Sequence, residues 1–391
     1  MIIKEPITLP CGVTLPNRLA KSAMSENMAN KDHLPGPEFE TLYNRWGKGE
    51  TGLCISGNVM IDSRHLGEPN NVILEEGIKN FEGFKRWASV QEKYNIHIWP
   101  QLNHPGKQTP NFLTKEPVAP SAIPLKTALG NKYFNTPREL TNEEIEDIIK
   151  RFAYAAKMIK KFGFKGVQIH GAHGYLVSEF LSARHNQRTD KWGGTPEKRM
   201  LFVQEVYKAM RAAVGPNFPI GIKINTADFS KGGFTHEESI RVAKKLSDIG
   251  IDLIEISGGS YEQWAMTGKK TKDSTKKREA YFIEFAHDIK KEISCPLMVT
   301  GGFSTGEFIN KSITSGEIDI AGLARPLCIN PDFSKDLMEG KNIKSQVRPL
   351  SSGIKLLDKI FPLEIIWYTR QIQRMGRGNE PKPNAGVYGT I

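Results

Sequence analysis

The chain has 391 residues, of which 39% are hydrophobic and 25% are charged. This length and this apolar content suffice for one large domain or two ordinary ones, and they exclude a disordered chain. The formal net charge is +11, but the basic residues are spread along the chain without a nucleic-acid recognition motif, so we expect no nucleic-acid partner.

Targeting signals and cysteine pairs also bound the class of protein. The opening segment Met1–Pro10 lacks the apolar stretch of a secretion signal, and no uncharged stretch reaches the roughly 20 residues of a membrane span. The four cysteines form no C-x-x-C pair, which excludes a cysteine-built zinc ribbon or iron–sulfur cluster. We therefore expect a cytoplasmic protein with no membrane partner.

Eight short apolar runs, each ending in small or polar residues, follow one another along the chain. Such runs are typical of strands that are buried on both faces of a parallel sheet. They are Arg18–Met24, Leu53–Asn58, Ile96–Gln101, Gly166–His170, Pro219–Ile224, Ile251–Ser257, Pro296–Gly301 and Ile318–Ala324.

Helix-start signals lie between several of these runs. Capping-box patterns begin at Thr141, Thr235 and Ser304, and Thr195 precedes a proline at a first helical position. Eight strands that alternate with helices predict an α/β protein of the (β/α)8 barrel type, a TIM barrel. A doubly wound open sheet is the competing fold, and it usually has fewer strands.

Two segments exceed a minimal barrel. His104–Leu140 contains six prolines and no helical period, which predicts a long insertion after the third strand that covers the site. After the eighth strand, residues 330–391 include a predicted helix over Phe361–Met375. We predict one domain, residues 1–391, in which residues 330–391 are a C-terminal helical extension.

The loops after the seventh and eighth strands favour a phosphate site. Gly301 and Gly302 lead into a helix whose first N–H groups can meet an anion. Ala324 and Arg325 close the neighbouring strand and add a guanidinium. A pair of glycines can also serve only a tight turn, but this pairing of loops is where barrels commonly bind phosphate.

The sharpest cluster of reactive side chains is His170-x-x-His173-x-Tyr175 at the end of the fourth strand. An H-x-x-H pair can be half of a metal site, but no third ligand is in register, so we expect no metal. Core histidines are a second alternative. Two imidazole donors can instead hold and polarise a substrate carbonyl, and a nearby phenol can deliver a proton.

Several motifs along the barrel resemble the old yellow enzyme family of FMN-dependent ene-reductases. They are Leu15–Arg18 (LPNR), Gln101–Gly106 (QLNHPG), Gln168–Leu176 (QIHGAHGYL), Gly193–Arg199 (GGTPEKR) and Ala321–Pro326 (AGLARP). The resemblance implies that His170 and His173 bind the activating group of the substrate and that Tyr175 donates the proton.

The resemblance also implies a set of contacts to a non-covalent FMN. Ala23, Met24 and Ser25 lie against the flavin ring, Gly57 and Gln101 contact its pyrimidine side, Lys223 lies near flavin N1, and Gly301, Gly302, Ala324 and Arg325 bind the phosphate, with His170 as a further flavin contact. Ser25 stands where relatives carry threonine or cysteine, and its hydroxyl can still bond the flavin carbonyl. Lys198 replaces an asparagine, without an expected catalytic effect.

The implied reaction is hydride transfer from NAD(P)H through FMN to Cβ of an activated alkene, with a proton from Tyr175. Alternatives are a flavin-dependent quinone or xenobiotic reductase, or a flavin-binding sensor barrel without turnover. The expected partners are a small-molecule alkene or quinone. A homo-oligomer is also possible, because the C-terminal tails of some relatives reach the site of a neighbouring subunit. For the same reason Tyr368 and Arg370 are weak candidates for substrate contact.

Overall fold

A computed structural model describes residues 1–126, 132–228, 230–257, 283–354 and 363–390. Among these residues, eight parallel strands close a barrel, because the first strand pairs with both the second and the eighth. The strands are β1 Leu19–Lys21, β2 Leu53–Met60, β3 His97–Asn103, β4 Val167–Gly171, β5 Ile220–Asn225, β6 Leu253–Ser257, β7 Leu297–Thr300 and β8 Ile320–Leu323. Each overlaps one predicted run, so the (β/α)8 prediction is confirmed and the open sheet is wrong.

Eight longer helices accompany the strands in the described part of the chain. They are α1 Pro37–Lys48, α2 Glu82–Tyr94, α3 Asn142–Lys161, α4 Leu201–Val214, α5 His236–Asp248, α6 Ile283–Glu292, α7 Gly306–Thr314 and α8 Leu363–Gly376. Shorter helices span Ile2–Lys4, Leu176–Leu181, Pro196–Arg199, Arg325–Ile329, Phe333–Met338 and Val387–Thr390. No described helix has the length and apolar content that a bilayer crossing requires.

The predicted helix starts are confirmed with one exception. Thr141 and Thr235 form complete capping boxes, and the Thr195 hydroxyl accepts the Lys198 N–H. The capping box predicted at Ser304 is wrong. The hydroxyl of Thr305 accepts the Phe308 N–H instead, and α7 therefore begins one residue later than the pattern indicates.

The barrel interior is apolar at its amino-terminal end. A two-stranded hairpin, Ile7–Thr8 with Thr14–Leu15, packs Leu9 and Leu15 against the inward side chains of the strands. Trp99 from β3 belongs to the same cluster, and a Cβ at Gly166 would lie only 2.3 Å from its indole nitrogen. Polar groups are thereby left to the opposite end.

The two additional segments reach that opposite, carboxyl-terminal end. In the insertion, residues 104–126 and 132–140 form no α-helix, and the short strands Val118–Ala119 and Arg138–Glu139 pair in parallel. The C-terminal helix α8 packs against α1, and Gln373 donates to the backbone carbonyls of Glu26 and Asn27. Two residues of the predicted Phe361–Met375 helix, 361 and 362, lie outside the described residues. The division into one domain and an extension stays a prediction.

Candidate active site

The turn after β4 brings three reactive rings together. His173 and Gly174 adopt φ values of +61° and +78°, which turns the chain sharply past the strand end. The ring centroids of His170 and His173 are 5.2 Å apart, and those of His170 and Tyr175 are 4.8 Å apart, both edge-on. The residues predicted as catalytic therefore share one cluster.

Hydrogen bonds orient the two imidazoles. His170 Nδ1 accepts the Ala172 N–H at 3.3 Å, so the proton of the neutral ring lies on Nε2. His173 Nε2 lies 3.0 Å from the Ser257 hydroxyl. The backbone N–H of His173 donates to Asn225 Oδ1, which ties the turn to β5.

Burial keeps both rings uncharged at neutral pH. It lowers the pKa of His173 to about 3 and the pKa of His170 well below its ordinary value, and the nearby Lys223 charge adds to both shifts. Neutral imidazoles can donate a hydrogen bond to a carbonyl oxygen without transferring a proton to it. This suits polarisation of a substrate better than acid catalysis by histidine.

We expect the free energy of unfolding to fall as the pH decreases from 7 to 5. Burial also lowers the pKa of His97 to about 4 and that of His185 to about 3. Because the unfolded chain protonates these rings near pH 6.5 and the folded chain does not, stability is lost below that pH. Urea titrations at pH 7, 6 and 5 measure the trend, and a constant or rising stability would contradict the burial of neutral rings.

A polar layer crosses the barrel beneath the rings. Lys223 Nζ lies 3.0 Å from Glu255 Oε1, and both side chains are almost fully buried. Gln168 donates to Glu255 Oε2 at 2.7 Å, and Gln101 donates to Gln168 Oε1 at 2.6 Å. Glu255 was not predicted. The sequence feature that could have revealed it is a carboxylate inside an otherwise apolar strand, and this carboxylate pairs in register with Lys223.

The predicted phosphate residues meet at the ends of β7 and β8. Gly301 and Gly302 have φ values of +121° and +84°, which favour glycine. Arg325 donates to Glu364 Oε1 at 2.5 Å, and its side chain stays about one third exposed (32%). Glu364 of α8 was not predicted. This guanidinium with its remaining N–H groups and the glycine backbone fit one phosphate group.

The segment after β1 carries the remaining predicted flavin contacts, Ala23, Met24 and Ser25, and lies against Gly57 of β2. A Cβ at Gly57 would lie 2.6 Å from the Met24 carbonyl oxygen, so only glycine fits here. The Cys328 thiol lies 3.2 Å from the Met24 sulfur. Gln101 and Lys223 supply the N–H donors that suit the polar edge of a flavin.

The C-terminal candidates separate in the structure. Tyr368 is buried on α8, packs against Trp367, and lies close to the Arg325–Glu364 pair, whose charges act on its phenol. Arg370 is exposed. A role for either in substrate contact stays a prediction.

A buried cluster at the ends of β2 and β3 has the residue types of a metal site. Candidate ligand atoms of Asp62, His65 and His104 lie within 4.8 Å of one another. Arg64, however, binds both carboxylate oxygens of Asp62. His104 Nδ1 accepts the Gly106 N–H, which leaves the proton on Nε2, where a metal ligand needs a lone pair. This hydrogen bonding argues against metal binding.

The comparisons agree on one family. Residues 3–344 match the model of the NADH:flavin oxidoreductase / NADH oxidase family. An NADH-dependent flavin oxidoreductase, iliE, of Hypocrea jecorina is 37% identical over 94% of each chain. An NADH oxidase of Thermoanaerobacter brockii is 34% identical over 83% of this chain, which spans 49% of that relative.

Solved structures show the same barrel. A 2-naphthoyl-CoA reductase superposes with a TM-score of 0.81 at 27% identity, covering 88% of this chain and 54% of that one. The old yellow enzyme homologue from Zymomonas mobilis superposes with a TM-score of 0.75 at 25% identity, covering 89% of this chain and 95% of the other.

Proposed function

Since the chain belongs to the NADH:flavin oxidoreductase / NADH oxidase family, that of old yellow enzyme, we propose that it is an ene-reductase for activated alkenes. As a member of this family it is a flavin-dependent oxidoreductase whose cofactor is FMN and whose reductant is NAD(P)H. The observation that carries the proposal is the cluster of two neutral imidazoles and a phenol after β4.

The side chains divide the work on the substrate. Bound FMN supplies hydride transfer, from NAD(P)H to the alkene carbon β to the activating group. His170 and His173 hold the carbonyl oxygen, on which negative charge grows as the hydride arrives, and their N–H donors stabilise that charge. Tyr175 gives its proton to the α-carbon, so that one hydride and one proton together saturate the double bond.

Other groups act on the cofactor. Lys223 forms a buried ion pair with Glu255, and its ammonium group would stabilise negative charge on the reduced flavin. Gly301, Gly302 and Arg325 hold the phosphate. The sequence matches G-x-G-x-x-G at Gly47–Gly52, but this segment runs from the last turn of α1 to the start of β2, whereas a dinucleotide-binding motif joins a strand to the helix after it. We therefore expect the nicotinamide to use the same pocket as the alkene, in turn.

We expect the purified protein to be yellow and to release one FMN per chain on acid treatment. The phosphate cradle at Gly301, Gly302 and Arg325 suits a mononucleotide. Chromatography of the released flavin identifies it. Release of FAD, or a flavin that stays attached to the denatured chain, would contradict this expectation.

Anaerobic spectroscopy tests the ene-reductase proposal. NADH or NADPH should bleach the flavin absorbance, and cyclohexenone should restore it with formation of cyclohexanone. Recolouring by quinones but not by any enone or nitroalkene would favour the quinone reductase instead. A flavin that neither nicotinamide reduces would favour the sensor barrel.

A further inference from the structure

Two predicted flavin contacts have only one proton each to donate. The backbone N–H of Gly57 points at both carboxylate oxygens of Glu26, at 3.0 Å. The hydroxyl of Ser25 donates to Oε2 of Glu68. Both donors at this edge of the pocket are therefore taken by carboxylates of the chain itself.

The other predicted flavin donors differ in this respect. Gln101 has two N–H groups and uses one on Gln168, and Lys223 has three and lies against Glu255. Each keeps protons for a ligand. The competition between protein and flavin for a proton is thus confined to the edge formed by Ser25 and Gly57.

Glu68 is held in place for this contact. Asn71 accepts the backbone N–H of Glu68 at 2.7 Å through Oδ1, and its Nδ2 lies 3.3 Å from the Glu68 carboxylate. Thr369 of α8 donates to the Ser25 carbonyl at 3.4 Å, which holds the serine from the other side. Neither partner has to reorganise for the hydroxyl to point at the carboxylate.

We propose that Glu68 is a positioning residue that takes the Ser25 hydroxyl proton and so withholds it from the flavin carbonyl. The inference rests on the proposed function only in placing Ser25 at the flavin edge. It differs from the expectation for a serine at this position, which is a hydroxyl that donates to the flavin.

The consequence is a flavin that is harder to reduce. Reduction places more negative charge on the pyrimidine edge, and a donated proton there would stabilise the reduced ring. A hydroxyl turned toward Glu68 offers the flavin only oxygen lone pairs. In Glu68→Gln the amide can donate to Ser25 Oγ, which releases the hydroxyl proton toward the flavin.

The test is the reduction equilibrium of bound FMN against a reference dye at pH 8, because burial raises the pKa of Glu68 and its carboxylate must be ionised to accept the proton. It compares the wild type, Ser25→Ala, Glu68→Gln and the double variant. Glu76→Gln, which removes an exposed carboxylate nearby in sequence, is the control for charge alone and should equal the wild type. Glu68→Gln should raise the equilibrium constant for reduction roughly tenfold, about 30 mV for two electrons.

The decisive result is whether the effect of Glu68→Gln on the reduction equilibrium depends on the Ser25 hydroxyl. Ser25→Ala should leave the wild-type equilibrium within about twofold, but it should remove most of the gain in the Glu68→Gln variant. If Glu68→Gln raised the equilibrium constant equally with and without Ser25, Glu68 would act on the flavin only through its negative charge, and the inference would be overturned. A tenfold loss of the equilibrium constant in Ser25→Ala alone would also overturn the inference. This second test remains available even if Glu68→Gln fails to fold. Wild-type protein that binds no FMN would instead refute the proposed function.

Discussion

Tyr175→Phe is expected to separate the two half-reactions of the enzyme. The phenol is needed only where a proton must reach the substrate carbon, so flavin reduction by NAD(P)H should be nearly unchanged. Reoxidation by cyclohexenone should fall roughly 10²-fold or more, the scale of a positioned general acid. Tyr175 is 8% exposed and packs edge-on against His170, so removal of one oxygen should leave the packing intact. Stopped-flow absorbance measures both half-reactions.

Quinones and oxygen provide the internal control, because they need no proton on carbon and should reoxidise the variant at the normal rate. Tyr388→Phe, at an exposed tyrosine, is the matched substitution and should behave as the wild type. Equal slowing of both half-reactions, or an unchanged reaction with the enone, would remove Tyr175 from the role of proton donor.

His170→Ala and His173→Ala are expected to weaken phenol binding and to slow alkene reduction. Each variant loses one N–H donor to the oxygen on which charge develops, a loss that typically costs on the order of 10²-fold in rate. Titration with a phenol, followed by the flavin spectrum, measures binding, and the enone half-reaction measures the rate.

Asparagine at either position keeps an N–H donor and should restore part of the loss. His287→Ala, at an exposed histidine of α6, controls for the removal of an imidazole elsewhere. If both alanine variants bind phenol and turn over like the wild type, the assignment of the histidine pair is wrong.

Local features of the sequence predicted much of the fold. Apolar runs predicted all eight barrel strands, since a strand buried on both faces is apolar along most of its length. The helix caps at Thr141 and Thr235 were equally predictable, because a capping box is complete within four residues. The same rule misplaced the start of α7, where Ser304 and Thr305 are adjacent and both can serve as a cap.

The neighbourhood of the candidate catalytic residues was also predictable, for a topological reason. Parallel strands that alternate with helices place all their carboxyl ends at one end of the barrel. Polar residues at or just after the carboxyl ends of separate strands, such as His170, Gln101 and Arg325, must therefore lie at a common face. Their roles in the reaction stay predictions until the variants are measured.

The carboxylates that oppose these residues could not be assigned from the sequence. Glu68 faces Ser25 across 43 positions, and Glu364 reaches Arg325 only because α8 packs against the short helix Arg325–Ile329. Glu255 meets Lys223 through the register of two strands. Apolar periodicity and capping report on a few neighbouring residues, so they determined the strands, the helix starts and the end at which the site lies. The pairing of each carboxylate with its donor depends on distances between segments that are remote in sequence, so only the tertiary structure of the barrel decided it.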